Sequence, residues 1–301
     1  MGLRVDALGR SRRAGTQGDV TFRFANVDGH AALVDSGGWW YGASRVSRGT
    51  ISGDPMRAWL QLDELHRAAD RVERSEPDGN LSQANLRPPI PTPRSVFAVG
   101  LNYRSHAEES KMALPEVPLV FAKFASCLTG PKDPVILGGS TDDYEAELVV
   151  VIGRGGRHIA RDDAWDHVGG LTVGQDISDR ALQFAATPAH FDLGKSRDTY
   201  GPIGPVVVST DSFADPGDLQ ITCDVNGERR QHERTSNLVF DIPTLISYLL
   251  GILTLSPGDL IFTGTPEGIG AASLRFLGDG DVISTTIEGI GTLTNPCRRP
   301  Q

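Results

Sequence analysis

The sequence predicts an α+β fold that is built predominantly of β-strands. Its 35 glycines and 19 prolines in 301 residues indicate many turns, and short apolar runs bounded by turn residues recur along the chain. A polar, proline-rich stretch at residues 75–93 separates two parts of different character. We therefore predict a small N-terminal β/α domain over residues 1–90 and a main domain over residues 91–301. The alternative is one domain in which residues 75–93 form a long surface loop.

The N-terminal part combines a predicted β-hairpin with a helix. Asp28-Gly29 lies between extended runs at residues 20–24 and 31–34, and this dipeptide is a strong signal for a tight hairpin turn. Residues 55–74 carry apolar side chains at helical spacing, and a proline stands near their start. We predict one helix over those residues.

The main domain alternates short buried strands with turns and contains one clear helix. That helix is predicted over residues 242–250, with Pro243 in its first turn. A shorter helix is predicted at residues 161–167. The predicted strands lie at residues 96–100, 119–124, 135–138, 148–152, 169–176, 205–208, 219–225, 260–263 and 282–287.

Composition excludes several classes of protein. The formal net charge of −9 argues against nucleic-acid binding as the main role. No run of 18 apolar residues occurs, so we expect no membrane span, and residues 1–6 lack the apolar core of a secretory signal. The three cysteines have no paired spacing, which excludes a zinc site framed by cysteines and favours a reduced, cytoplasmic protein.

Two glutamates precede an apolar run and stand out as a candidate site. Glu145 and Glu147 are two residues apart, so they project from the same side of a strand. Two neighbouring carboxylates in a core strand are costly unless a cation neutralises them, and a divalent metal ion is one such cation. The alternative is that the strand begins later and both glutamates lie at a solvated end.

Five motifs occur in order between about residues 95 and 294. They are Gly100-Leu101-Asn102-Tyr103 with His106, Tyr144-Glu145-Ala146-Glu147-Leu148, Gly174-Gln175-Asp176-Ile177-Ser178 with Arg180, Gly194-Lys195-Ser196 with Gly201-Pro202, and Thr263-Gly264-Thr265-Pro266 with Gly268-Ile269-Gly270. Through them the main domain resembles the fumarylacetoacetate hydrolase family, in its short branch of acylpyruvate hydrolases and oxaloacetate decarboxylases. The resemblance implies a mixed β-roll for the main domain and a homodimer. The first 90 residues match none of these motifs.

The resemblance implies that Glu145, Glu147 and Asp176 bind one divalent metal ion. Three carboxylates without histidine or cysteine form a hard oxygen shell, which suits Mg²⁺ or Mn²⁺, and also Ca²⁺, but not zinc. Three protein ligands leave about three octahedral positions for water or substrate.

Further site residues follow from the same resemblance. His106 is expected to act as a base on water, with Glu109, three residues on, orienting it. Lys195, Arg180 and Gln183 are expected to bind substrate oxygens and to stabilise negative charge, and Thr265 to bind the substrate carboxylate. The alternatives are a solvated helix at His106, a structural ion pair at Arg180 and a simple turn at Thr265.

The expected activity is metal-dependent hydrolysis of a carbon–carbon bond in a β-diketo acid, such as an acylpyruvate, to release pyruvate and a carboxylic acid. The alternatives are decarboxylation of oxaloacetate or isomerisation of a hydroxymuconate-type diacid, and a non-catalytic binding protein from another class. The expected partner is a small 2-oxo or diketo acid. We also expect residues 101–118 to form a mobile lid, because they have few apolar anchors and Pro115 and Pro118 interrupt any long helix.

Overall fold

The computed structural model of the chain describes residues 21–300 and, before them, the backbone of residues 4–5 and 11–12. In this part of the chain strands outnumber helices, as predicted. The strands are β1 (Arg4–Val5), β2 (Ser11–Arg12), β3 (Arg23–Val27), β4 (His30–Val34), β5 (Trp39–Gly42), β6 (Gly79–Asn80), β7 (Leu86–Arg87), β8 (Val96–Gly100), β9 (Leu119–Ala122), β10 (Leu128–Thr129), β11 (Val135–Ile136), β12 (Asp142–Asp143), β13 (Ala146–Ile152), β14 (Val168–Gln175), β15 (Ser178–Asp179), β16 (Gly201–Val208), β17 (Gln220–Val225), β18 (Glu228–Arg234), β19 (Leu260–Phe262), β20 (Val282–Ile287) and β21 (Gly291–Arg298). The α-helices are α1 (Ala43–Val46), α2 (Pro55–Trp59), α3 (Leu62–Val72), α4 (Arg104–Glu109), α5 (Arg180–Gln183), α6 (Phe191–Gly194), α7 (Ile242–Ile252) and α8 (Gly270–Ser273).

Two sheets form the body of the described chain. The larger runs in the order β6-β5-β4-β3-β16-β14-β13-β19-β8-β9, with β7 added beside β3 and β10 beside β16. The smaller has the order β11-β21-β20-β17-β18. Strands β13 and β14 lie in the middle of the larger sheet, and every residue of both is buried. A strand buried on both faces favours apolar side chains on both, which explains the continuous aliphatic run of β13 from Leu148 to Ile152.

The two faces of the larger sheet pack against different layers. Leu148 and Val150 of β13 join a core cluster with residues of the smaller sheet such as Ile221. Val149 and Val151, which alternate with them, join a second cluster with the N-terminal helices. Glu145 and Glu147 share the sequence parity of this second set, so the strand alternation assigns them to the helix-covered face.

The N-terminal hairpin is confirmed, but the single helix predicted over residues 55–74 is wrong. Asp28 (φ 52°) and Gly29 (φ 87°) connect β3 and β4 with two positive φ angles, as a tight hairpin requires. The helix is divided into α2 and α3 at Gln61, whose φ of −106° and ψ of 41° are not helical. The Gln61 side chain binds the preceding loop, accepting from Ser52 N at 2.8 Å and donating to the Thr50 carbonyl. Residue 20, where the first extended run starts, lies outside the described residues.

The larger sheet continues across the predicted boundary at residue 90. Strand β3 pairs with β16, so strands from both sides of that boundary belong to one sheet. Trp59 of α2 is fully buried and donates its indole N–H to the Ile152 carbonyl at 2.9 Å. The division into two domains stays a prediction, but the two parts share hydrogen bonds and a core.

Strands β13 and β14 position the candidate site. They are antiparallel, with Ala146 opposite Gln175, so the start of one strand meets the end of the other. This arrangement brings Glu145 beside Asp176, whose backbone N–H donates to the Glu145 carbonyl at 2.9 Å. In the described ranges, no helix combines the length and apolar character that crossing a membrane demands.

Candidate active site

The three predicted metal ligands come together in the structure. Glu145, Glu147 and Asp176 each offer one carboxylate oxygen, and these oxygens lie within 4.8 Å of one another. All three side chains are buried. The alternative of a solvated pair at a strand end is therefore excluded, and the two glutamates lie together as their spacing predicted.

Gly174 allows the strands to approach closely beside this cluster. A Cβ at this position would lie 2.4 Å from Cγ2 of Val149 and 2.8 Å from the Phe262 ring. Gly174 pairs with Glu147 across the ladder. The glycine of the Gly174-Gln175-Asp176 motif thus serves the packing that holds Asp176 beside β13.

Lys195 lies between two of the carboxylates. Its Nζ is 2.8 Å from Glu145 Oε2, from Asp176 Oδ2 and from Ser178 Oγ, so each of the three ammonium hydrogens has an acceptor. Its side chain is buried, and Nζ lies 5.4 Å from the centre of the Phe121 ring. An ammonium held this firmly provides a fixed positive charge beside the carboxylates, and its binding to a substrate stays a prediction.

A second lysine, Lys123, reaches the cluster from the end of β9. Its Nζ donates to Asp176 Oδ1 at 2.6 Å and to the Tyr200 carbonyl at 3.2 Å, and it also contacts the Lys195 carbonyl. Sequence analysis placed Lys123 only within a strand. The signal that could have identified it is a cation in an otherwise apolar run, between Ala122 and Phe124.

Arg180 is bound by two carboxylates. It donates to Asp143 Oδ2 through Nε (2.9 Å) and Nη2 (2.7 Å), and to Glu145 Oε1 through Nη2 at 2.6 Å. Burial acts to lower the pKa of Arg180, but the Glu145 and Asp143 carboxylates outweigh it and raise that pKa above its usual value. Asp143, which sequence analysis missed, also accepts from the backbone of Gly270 and Ala271.

The charges of the cluster favour an additional cation. Burial acts to raise the pKa of Glu145, but Lys195 and Arg180 outweigh it and hold that pKa well below its usual value. At Glu147, burial together with Asp176 and Glu145 raises the pKa well above its usual value. An all-oxygen donor set with one under-compensated carboxylate fits a divalent cation, which would neutralise Glu147.

His106 and Glu109 lie on one side of α4, as predicted from their spacing. His106 Nδ1 is 3.7 Å from Glu109 Oε2, and this nitrogen is buried without a hydrogen-bond partner among the described residues. Glu109 instead accepts from the Gly268 backbone N–H at 3.0 Å. Gly268 has φ 97°, and a Cβ there would lie 2.0 Å from the Arg230 carbonyl oxygen, so only glycine fits.

The remaining predicted site residues bind the protein itself. Gln183 is buried and accepts from Arg180 Nη1 at 3.0 Å. The Thr265 hydroxyl donates to the Ala146 carbonyl and accepts from Gln231 Nε2, both at 2.9 Å. These bonds hold the loop after β19 against the start of β13. Substrate binding by Arg180, Gln183 and Thr265 therefore stays a prediction.

An α+β fold that buries three carboxylates where two strands meet defines a protein suited to bind a divalent cation. A comparison with family models matches residues 95–298 to the C-terminal region of fumarylacetoacetate hydrolase. This match covers more than half of the chain. The chain belongs to the fumarylacetoacetate hydrolase family, as its motifs predicted.

Three similar proteins illustrate the reactions found in this family. An oxaloacetate tautomerase, mitochondrial fahd2 of Xenopus laevis, is 38% identical over 247 residues, which cover 80% of this chain and 77% of that protein. Maleylpyruvate hydrolase of Sphingobium sp. SYK-6, solved with manganese(II) and pyruvate, has a TM-score of 0.78 at 29% identity and covers 93% of this chain and 100% of its own. The 5-carboxymethyl-2-hydroxymuconate delta-isomerase of Mycobacterium smegmatis has a TM-score of 0.71 at 31% identity, with the same coverage.

Proposed function

We propose that this chain is a divalent-metal-dependent enzyme that interconverts the keto and enol forms of a β-oxo diacid of the oxaloacetate kind. The observation that carries the proposal is the buried set of Glu145, Glu147 and Asp176, with Lys195 bonded to two of its members. Similarity to an oxaloacetate tautomerase over four fifths of the chain supports this substrate class.

The chemistry requires three functions, and the site offers a group for each. A divalent cation held by Glu145, Glu147 and Asp176 would supply a Lewis acid for a 2-oxo acid. Lys195 holds a positive charge beside those ligands and would stabilise negative charge on the substrate oxygen. His106, buried near Glu145, would accept the proton from the carbon next to the carbonyl and deliver it to the enolate oxygen, and would run the two transfers in reverse for the opposite direction.

Hydrolysis of an acylpyruvate-type substrate is the second candidate. It is favoured by the proximity of His106 and Glu109 and by the likeness to maleylpyruvate hydrolase. Hydrolysis needs an attacking water that His106 activates through one ring nitrogen while Glu109 binds the other ring nitrogen of His106. Proton transfer within an enol needs only one group that accepts and returns a proton, so tautomerisation does not require a hydrogen bond between His106 and Glu109, whose atoms lie 3.7 Å apart.

A substrate panel tests the proposal. Purified protein with Mg²⁺ or Mn²⁺ is mixed with enol oxaloacetate, an acylpyruvate and a hydroxymuconate-type diacid, while enol absorbance, pyruvate and carbon dioxide are followed. We expect accelerated loss of enol absorbance from oxaloacetate without matching release of pyruvate or carbon dioxide. A larger kcat/KM for pyruvate release from the acylpyruvate would establish hydrolysis instead. Ion binding without turnover of any substrate would favour a binding protein.

A homodimer and a cytoplasmic location remain proposals. They rest on the resemblance and on composition. Light scattering of the purified chain would measure the mass in solution, and about twice the 32.3 kDa of one chain is expected for the homodimer.

A further inference from the structure

Besides the bonds from Lys195, each carboxylate of the cluster accepts a hydrogen bond from one further donor. Arg180 Nη2 binds Glu145 Oε1 at 2.6 Å, and the Gly264 backbone N–H binds Glu147 Oε2 at 2.7 Å. The third donor is Lys123, which binds Asp176 Oδ1 at 2.6 Å. The proposed function gives Lys123 no role.

The two oxygens of Asp176 lie in different surroundings. Oδ2 is 2.8 Å from Lys195 Nζ, which also binds Glu145 Oε2, so Oδ2 is the oxygen on the side of the other ligands. Oδ1 is the oxygen held by Lys123. Both Asp176 and Lys123 have side chains without solvent exposure, so water cannot replace either partner of this ion pair.

Lys123 has little freedom to move away from Asp176. Its ammonium has three acceptors, Asp176 Oδ1 and the carbonyls of Tyr200 and Lys195, which use its three hydrogens. Nζ also lies 5.7 Å from the centre of the Phe262 ring.

We propose that Lys123 is a positioning residue that restricts Asp176 to ligation through one oxygen and thereby favours Mg²⁺ and Mn²⁺ over Ca²⁺. Mg²⁺ demands six ligands near 2.1 Å in a regular octahedron, and carboxylates that each give one oxygen satisfy it. Ca²⁺ takes six to eight oxygen ligands and frequently binds both oxygens of one carboxylate. The buried ammonium at Oδ1, on the far side of Asp176 from the other ligands, places a positive charge where the second contact would form and so disfavours that contact. This inference rests on the proposed metal site and adds the basis of its ion preference.

Ion affinities of a substituted protein test the inference. Dissociation constants for Mg²⁺, Mn²⁺ and Ca²⁺ are measured by calorimetry on the purified chain and on Lys123→Met, with Lys132→Met as the matched control. Lys132 is exposed and donates only to the Ser82 carbonyl among the described residues. Removing a positive charge strengthens binding of every dication, so the informative quantity is the ratio of the Ca²⁺ and Mg²⁺ constants, from which that common effect cancels.

We expect the preference for Mg²⁺ over Ca²⁺ to fall by about tenfold or more in Lys123→Met, the usual scale for a partner of a metal ligand, and to be unchanged in Lys132→Met. A purely structural Lys123 would change stability and leave the ratio of ion affinities as it is, and an unchanged ratio overturns the inference.

Crystal structures of the unsubstituted protein with Mn²⁺ and with Ca²⁺ test the same inference even if Lys123→Met fails to fold. A single Asp176 oxygen on the ion supports the inference, and two oxygens overturn it. If the unsubstituted protein binds none of the three ions, the proposed function itself is wrong.

Discussion

His106 and Glu109 project from the same side of α4 with 3.7 Å between Nδ1 and Oε2, which is beyond hydrogen-bond length. The Glu109 carboxylate is instead bonded to the Gly268 N–H, and its neighbour Glu108 is exposed. The structure therefore holds the predicted base and its predicted orienting group side by side, without a hydrogen bond between them.

Replacing His106 tests its role in proton transfer. We expect His106→Ala to lower kcat by about 10²-fold or more, the usual contribution of a general base. Metal affinity should remain, because His106 is not one of the three ligands. Steady-state kinetics and calorimetry on the same preparation measure both quantities.

The exposed His30 supplies the matched control, and His30→Ala should keep full activity. Glu109→Gln then separates the two candidate reactions. If catalysis requires Glu109 to orient His106, as hydrolysis does, the kcat of Glu109→Gln should fall nearly as far as that of His106→Ala. A small effect of Glu109→Gln favours tautomerisation, and unchanged kcat in His106→Ala contradicts the role given to the imidazole.

Removing the metal tests the central claim. Chelation should abolish activity, and Mg²⁺ or Mn²⁺ should restore it. Glu147→Gln keeps the size of the side chain but removes one of three anionic ligands, so we expect ion binding to be lost. Glu116→Gln, at an exposed position, is the control. Full activity after exhaustive chelation would show that the reaction proceeds without an ion.

Arg180 is expected to contribute mainly to the stability of the fold. Arg180→Met would leave Asp143 without its buried cation and Glu145 with Lys195 alone, and breaking a buried pair typically costs about 3–5 kcal/mol in the free energy of unfolding. Arg161→Met removes an exposed ion pair with Asp241 and should cost about 1 kcal/mol or less. Denaturant unfolding compares the two. Unchanged stability in Arg180→Met, with a raised KM, would favour direct substrate binding.

Local pattern was sufficient to predict part of the site. The two-residue spacing of Glu145 and Glu147, with the aliphatic run after them, placed both carboxylates on one side of a buried strand. The short spacing from His106 to Glu109 likewise predicted their shared side of α4. Both features follow from the side-chain periodicity within a single strand or a single helix, and this periodicity can be read from the sequence.

Long-range contacts could not be predicted in the same way. Lys123 meets Asp176 across 53 residues, and the sequence shows only a lysine at the end of an apolar run. The Thr265 hydroxyl is bonded to Ala146, 119 residues away. The pairing of β3 with β16 was missed for the same reason, because it depends on how distant strands assemble and not on their individual patterns.

Metal affinity should depend on pH through Glu147. Burial and the neighbouring Asp176 and Glu145 carboxylates raise the pKa of Glu147, so a proton competes with the ion above the usual titration range of a glutamate. Apparent affinity should therefore rise with pH from that usual range up to the raised pKa and then level off. Calorimetry in buffers of different ionisation enthalpy would also detect the released proton. Affinity independent of pH across this window would contradict the raised pKa.

Residues 101–118 are expected to order when a substrate analogue binds. Helix α4 buries His106 and Ala107, but Met112 and Val117 in the following loop are exposed, so this loop has few contacts that resist opening. Closure would bring His106 towards the substrate and exclude bulk water. Hydrogen exchange is measured on the metal-loaded chain with and without oxalate, an unreactive diacid. We expect slower exchange at residues 101–118 with oxalate and no change in α7, which lies in the core. Equal and strong protection in both states would mean that the segment is static.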